Sequence, residues 1–219
     1  MVKVERSYPA PASLAIEATK ASGRYDCSDV VERLLEDFHE KCYICEIDEL
    51  QDPEIEHLLP HKGGIYPERK FDWDNLFLSC GHCNSVKNQV KYDAGIMDCC
   101  KVDPEEHISC RLINNQTEIF AREESDQTIK LTAELIHEVF NKKNTEMRVY
   151  KSDMRLKALN AEMNVLYKQL EKYKANPNSL LLKRTLKALL RRESKFAAFK
   201  RNYIRDCRET YPDLLQYLT

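Results

Sequence analysis

The 219 residues are 42% hydrophobic and 32% charged with a mean hydropathy of -0.59, which gives enough apolar surface for a core and no run approaching a bilayer span; a wholly disordered or membrane-embedded chain is not expected. The formal net charge of -2 hides an uneven division: acidic residues outnumber basic ones nearly two to one over 1–140, and basic outnumber acidic more than two to one over 141–219. A polyanion, or equally an acidic protein, is drawn to the second part and repelled by much of the first. The opening MVKVERSYPAPASL carries acid and lacks an apolar stretch, so no secretory leader is expected and the compartment reads as cytoplasmic. Nine cysteines in a reducing compartment point to metal ligands and free thiols rather than disulfides.

Asp29 with Glu32 reads as a capping box, and Val31, Leu34, Leu35 and Phe38 follow at helical spacing, predicting an amphipathic helix over 29–40 that delivers the chain to Cys42. The apolar-rich stretch Ile55 to Leu59 before Pro60 predicts a short strand, Gly63-Gly64 a loop, and Trp73 to Leu78 a second strand. Cys80-Gly81-His82-Cys83 predicts a turn, followed by a short helix with Asn84, Lys87 and Asn88 on one face. From Asp98 to Ser125 the pattern is irregular, with Pro104 and an Asn114-Asn115 pair, and admits a small sheet or an ordered excursion. Leu131, Leu135, Ile136 and Val139 mark a helix, and Met154, Leu156, Leu159, Met163, Leu166, Leu170 and Tyr173 a long one ended by Asn176-Pro177-Asn178. A further helix carrying Leu182, Leu186, Leu189, Leu190, Phe196, Phe199 and Tyr203 is expected to fold back on it as an antiparallel hairpin with a basic outer face.

The pairs Cys42/Cys45 and Cys80/Cys83 have the spacing by which two thiolates grip one ion from a tight turn, and together they complete a tetrahedral Zn²⁺ shell, against the alternative of free buried thiols. Four thiolates leave no open position for water, so this zinc is expected to be structural, and hydrolysis would need a second ion with oxygen and nitrogen ligands. Between the pairs, Glu56 beside His57 supplies a carboxylate for a hard divalent cation and an imidazole to deprotonate water, although a lone Glu-His pair is more often surface decoration. His61 is a candidate phosphate contact against a solvated loop histidine, and Lys87 a candidate phosphate contact against a solvated lysine. His82 reads as a turn residue. Asp98, Cys99, Cys100, His107 and Cys110 offer metal-ligand types, but adjacent cysteines chelate poorly together and no second zinc is expected; Cys27 and Cys207 have no assigned role.

In this order, Cys42-Tyr-Ile-Cys45-Glu46, Glu56-His57-Leu-Leu-Pro60, Gly63-Gly64, Trp73-Asp-Asn75-Leu76 and Cys80-Gly-His-Cys83-Asn84-Ser-Val-Lys87 resemble the HNH (ββα-metal) endonuclease motif. The resemblance implies His57 as the general base, Glu56 and Asn84 as ligands of a catalytic Mg²⁺ or Mn²⁺, and Asn75 as the residue that pins the loop and orients the base. Many members carry histidine where this chain has Asn84, a departure that favours Mg²⁺ or Mn²⁺ over a transition metal. Asn88, one turn on, is a further candidate for the ion or the nucleic acid. More broadly, the CYICE run after a leading helix, the Phe71 to Leu76 run, Asp103-Pro104 and the closing helices are similar to the PtuB nuclease subunits of Septu-type, including retron-associated, anti-phage systems. That resemblance implies an ABC/SMC-like ATPase (PtuA-like) partner; this sequence contains no GxxxxGK[ST] of its own.

The expected fold is α+β and mostly helical: an N-terminal helical segment over 1–40, a zinc-stapled ββα-metal module over 41–97, an irregular connection over 98–125 and a helical domain over 126–219. The expected activity is hydrolysis of nucleic acid, DNA first. Its rivals are a non-catalytic zinc-dependent nucleic-acid-binding or scaffold protein and an RNA-cleaving (tRNA) toxin effector.

Overall fold

The computed structural model describes residues 1–123, 125–141 and 143–218; Glu124, Lys142 and Thr219, which fall inside the expected 98–125 and 126–219 segments, lie outside them. About 51% of the chain is helical, with two small antiparallel sheets. Helix α1 spans Ala12–Glu17 and α2 spans Ser28–Asp37, the latter burying Val30 and Leu34 four residues apart, with Phe38 buried just beyond. Asp29 does not cap α2. Its carboxylate accepts from the Ser13 backbone N–H at 3.1 Å and hydroxyl at 2.6 Å, fastening α1 to α2, while Cys27 holds the cap position without a side-chain bond. The helix stops three residues before the expected end because His39 and Glu40 take left-handed backbone, φ 53° and 56°.

Strand β1 (Pro53–His57) pairs antiparallel with β2 (Leu76–Cys80), placing Glu56 opposite Phe77 and His57 opposite Leu76. Both strands are shifted from the expected positions. Leu58 and Leu59 leave the sheet, and Trp73–Asn75 forms a single 3₁₀ turn whose start is capped by the Asp72 carboxylate, so β2 begins only at Leu76. Helix α3 (Gly81–Lys87) follows β2 without a connecting loop.

Residues 104–121, expected to fall in an irregular connection, are ordered. Pro104 opens the short helix α4 (Pro104–His107) under an Asp103 cap, and β3 (Ile108–Ile113) turns back as β4 (Gln116–Ala121). Asn114 and Asn115 make the two-residue turn with φ 49° and 61°, a conformation asparagine tolerates.

Helix α5 (Gln127–Asn141) covers β4, and α6 (Glu146–Ala175) buries Leu159, Met163, Leu166, Leu170 and Tyr173 at spacings of three and four. The expected last helix is two helices, α7 (Leu180–Leu189) and α8 (Ala197–Asp206). Buried Phe196 sits between them in left-handed backbone, φ 50°, and Lys41 donates to the freed carbonyls of Arg192 (2.5 Å) and Ser194 (3.0 Å). Helix α7 folds back on α6, and α8 touches α6 more briefly, with the Tyr203 ring 5.0 Å from that of Tyr167. Helix α8 packs across β3, and its expected basic outer face is partly interior: Lys200 meets Glu162 at 2.7 Å and Arg201 meets Glu105 at 2.7 Å, both cations buried. The buried apolar residues form one cluster reaching from Met1 to Leu214, shared by all four expected segments. Among the described residues, no helix is long and apolar enough to cross a membrane.

Candidate functional site

The four CxxC cysteines converge. Cys42 and Cys45 lie in the turn after α2, closed by the Glu46 N–H donating to the Cys42 carbonyl at 2.9 Å with Glu46 at φ 59°. Cys80 ends β2, and Cys83 sits in the first turn of α3. All four are buried, and their sulfurs lie within 4.8 Å of one another. The Cys45–Cys80 separation of 4.0 Å is close to the edge of about 3.8 Å that a Zn–S bond of about 2.3 Å gives a tetrahedron, so the donor set fits Zn²⁺. Four thiolates around one divalent ion leave two negative charges, and Arg155 of α6 offsets one by donating to Cys80 Sγ at 2.9 Å. His82, between the last two cysteines, points away from them; its Nε2 lies 3.0 Å from the Val139 carbonyl and burial lowers its pKa to about 4, so it joins α3 to α5 as a neutral ring.

Beyond this cluster, β1, α3 and the 58–70 loop surround a cavity of about 550 Å³. Glu56, His57, His61, Asn84, Lys87 and Asn88 all line it, so every oxygen, nitrogen or phosphate-binding candidate of the sequence except Asn75 reaches one space. Asn75 is buried behind it and acts as a clasp: its Oδ1 accepts from the Leu59 N–H at 2.7 Å, and its Nδ2 donates to the carbonyls of Leu59 and Arg69, both at 2.9 Å. Three bonds from one amide hold both ends of the loop that arches over His57.

The His57 ring is oriented from that loop. Its Nε2 lies 3.1 Å from the Lys70 carbonyl, which can only accept, so the proton sits on Nε2 and the lone pair on Nδ1. The rings of Tyr25 and His61 stand at 4.7 Å from it on two sides. Burial first, then the nearby His61 ring and the Lys87 and Lys70 cations, lower the pKa of His57 to about 4, leaving a neutral base at cellular pH. His61 places a buried Nδ1 without a hydrogen-bond partner beside it.

Lys87 departs from its expected role as a phosphate contact. It is 5% exposed, and its ammonium spends its three donors internally, on the carbonyls of His57 (3.1 Å) and Leu58 (3.0 Å) and on Glu56 Oε1 (2.5 Å). The second Glu56 oxygen accepts from the Tyr43 hydroxyl at 2.5 Å. Burial raises the pKa of Glu56 while Lys87 and Tyr43 pull against the rise. Each carboxylate oxygen keeps a further lone pair, so Glu56 remains able to ligate a hard cation. Asn84 is aimed by Glu54: a carboxylate only accepts, so Nδ2 must face Glu54 Oε2 at 2.5 Å, and Oδ1 is the atom left over. Asn88 is the exposed C-cap of α3 at the cavity rim rather than a residue within the helix.

Tyr43, Glu54 and Tyr25 belong to this site and were not singled out from the sequence. Glu54 carried a usable signal, since residues two apart on a strand share a face and Glu56 was already a candidate. Tyr43, between Cys42 and Cys45, and Tyr25, ahead of α2, carry none. His107, among the remaining metal-ligand types, places Nδ1 at 3.3 Å from Glu123. No protein-family model and no curated protein matches this chain.

Proposed function

We propose that this protein is a metal-dependent HNH-type endonuclease that hydrolyses phosphodiester bonds, with DNA as the first substrate. The observation that carries the reading is the convergence of Glu56, His57 and Asn84 on one cavity beside a cysteine cluster suited to Zn²⁺, with the imidazole held in the tautomer that frees Nδ1. In this role His57 Nδ1 takes a proton from the attacking water, and the Lys70 carbonyl stabilises the resulting imidazolium through Nε2–H. Asn75 keeps the loop, and so the ring, in place. The oxygens of Glu56 and Asn84 would hold Mg²⁺ or Mn²⁺, which when bound supplies positive charge to the scissile phosphate and the leaving oxygen. The zinc staples the two halves of the site together and takes no part in the chemistry.

The wider similarity to Septu-type PtuB subunits supports an anti-phage role with an ABC/SMC-like ATPase as partner. The given sequence contains no P-loop motif, and in this reading the partner handles the ATP. A second reading, a zinc-dependent nucleic-acid-binding or scaffold protein without catalysis, is favoured by one contact: the Lys87 ammonium already neutralises Glu56.

Incubating the zinc-loaded protein with plasmid DNA, single-stranded DNA and tRNA, each with Mg²⁺, with Mn²⁺ and without added metal, separates the readings. Metal-dependent DNA cleavage is the expected outcome. Cleavage confined to tRNA identifies an RNA-cleaving effector, and binding without cleavage in every lane identifies the scaffold.

A further inference from the structure

A second cavity, of about 410 Å³, opens beside the first and shares Tyr25, Ile55 and Asn84 with it. Its walls are mainly apolar, with Val31 and Leu35 from α2 facing Pro53 and Ile55 of β1, and carboxylates stand at its mouth: Asp26, held by Arg24 at 2.9 Å, and Glu54, which gives one oxygen to Asn84 and keeps the other. A phosphate is repelled from such an opening. A flat apolar ring whose edge carries N–H donors is attracted to it.

Building on the nuclease reading, we propose that this cavity receives one unstacked nucleobase bearing an exocyclic amino group, from the nucleotide next to the phosphate that lies at His57. The two cavities share Tyr25, Ile55 and Asn84 as a common wall, and the Tyr25 ring stands edge-on to His57 at 4.7 Å and 81°, so a base entering the second brings its own backbone to the first. A base can enter only after leaving its stack, which makes the substrate single-stranded or frayed at the cut.

The test is fluorescence anisotropy with zinc-loaded His57→Ala protein in Mg²⁺, which binds without cutting, using labelled oligo(dC), oligo(dT) and an abasic strand of equal length. Oligo(dC) should bind about 10-fold tighter than the abasic strand, with oligo(dT) between them. Adding Val31→Trp, which fills the cavity from the half-buried face of α2, should bring oligo(dC) down to the abasic level and leave the abasic strand unchanged. Equal binding of oligo(dC) and the abasic strand overturns the base site while leaving the nuclease reading intact, and needs no cavity variant. Oligo(dT) binding as tightly as oligo(dC) overturns the amino-group recognition. Val31→Trp without effect overturns the base site in favour of another occupant of the open β1 edge, such as an added peptide strand. No binding of any strand also overturns the base site, and leaves the nuclease reading to the metal-dependent cleavage assay.

Discussion

Residues 42–87 and residues 127–206 are held by different physics. The helical region is long elements with apolar stripes: α6 alone spans 30 residues and buries five large side chains in one row against its neighbours. The site region has two five-residue strands and a seven-residue helix, too short to hold shape by their own packing. To its share of the common apolar core it adds point fastenings: four converging cysteine sulfurs suited to one ion, Asn75 across the loop, and Lys87 from α3 to the end of β1. Fastenings of this kind fix individual atoms rather than surfaces, which suits the aimed imidazole nitrogen and two oxygens that the proposed reaction needs.

Stripping the zinc that the four cysteines are suited to hold should break the contrast most strongly. Structural zinc contributes on the order of 10 kcal/mol or more to the fold that binds it, comparable with the whole stability of a domain. A strong chelator, followed by zinc release and circular dichroism, should abolish near-ultraviolet signal from the site region while most far-ultraviolet helix signal remains. Loss of all helix together would show that the regions are not separable.

In the helical half, the matching experiment is Glu105→Ala, which strips the carboxylate from buried Arg201 and from Arg192 and Arg205. Leaving Arg201 and Arg205 without a carboxylate, while Arg192 keeps Asp103, should cost about 3–5 kcal/mol in thermal or urea unfolding. Asn75→Ala removes three bonds to buried backbone and should cost about 3 kcal/mol, with a loss of cleavage that Glu105→Ala does not share at temperatures where both are folded.

Mild acid should sharpen the comparison without mutation. His57 and His82 both titrate near pH 4 in the folded chain, so the unfolded chain binds protons first as pH falls below about 6.5, and the site region loses stability from there down to about 4. Burial alone would raise Glu105, but Arg201 and Arg205 outweigh it and hold the carboxyl below its usual range. Its contribution is therefore intact above about pH 4.3 and lost only below that. Hydrogen exchange at pH 5 should show protection falling in 42–87 and holding in 127–206, with the fall smaller in His57→Ala. Equal loss in both regions would contradict the assignment.

The difference between the regions also decided what could be read from the sequence. Local patterns showed clearly: the CxxC spacing located the cysteine cluster, and the row from Leu159 to Tyr173 located α6. Candidates brought together only by folding were legible as residue types but not as contacts. Lys87 reads as a surface cation on a short helix, and only the structure turns it inward onto Glu56. The break at Phe196 was invisible because the apolar rhythm continues through it; Lys41, more than 150 residues away, supplies the donors that make the break tolerable. Asp29 likewise had a cap's sequence signature and a distant partner, Ser13.

The decisive measurement is the rate of Mg²⁺-dependent plasmid cleavage by the unaltered protein and by His57→Ala, each shown to carry one zinc per chain and to melt as a folded protein. A positioned general base contributes about 10²–10⁴-fold, so the substitution should lower the rate by that factor with zinc and fold retained. Equal rates for the two proteins would contradict His57 as the base, and no metal-dependent cleavage by either would contradict the nuclease itself.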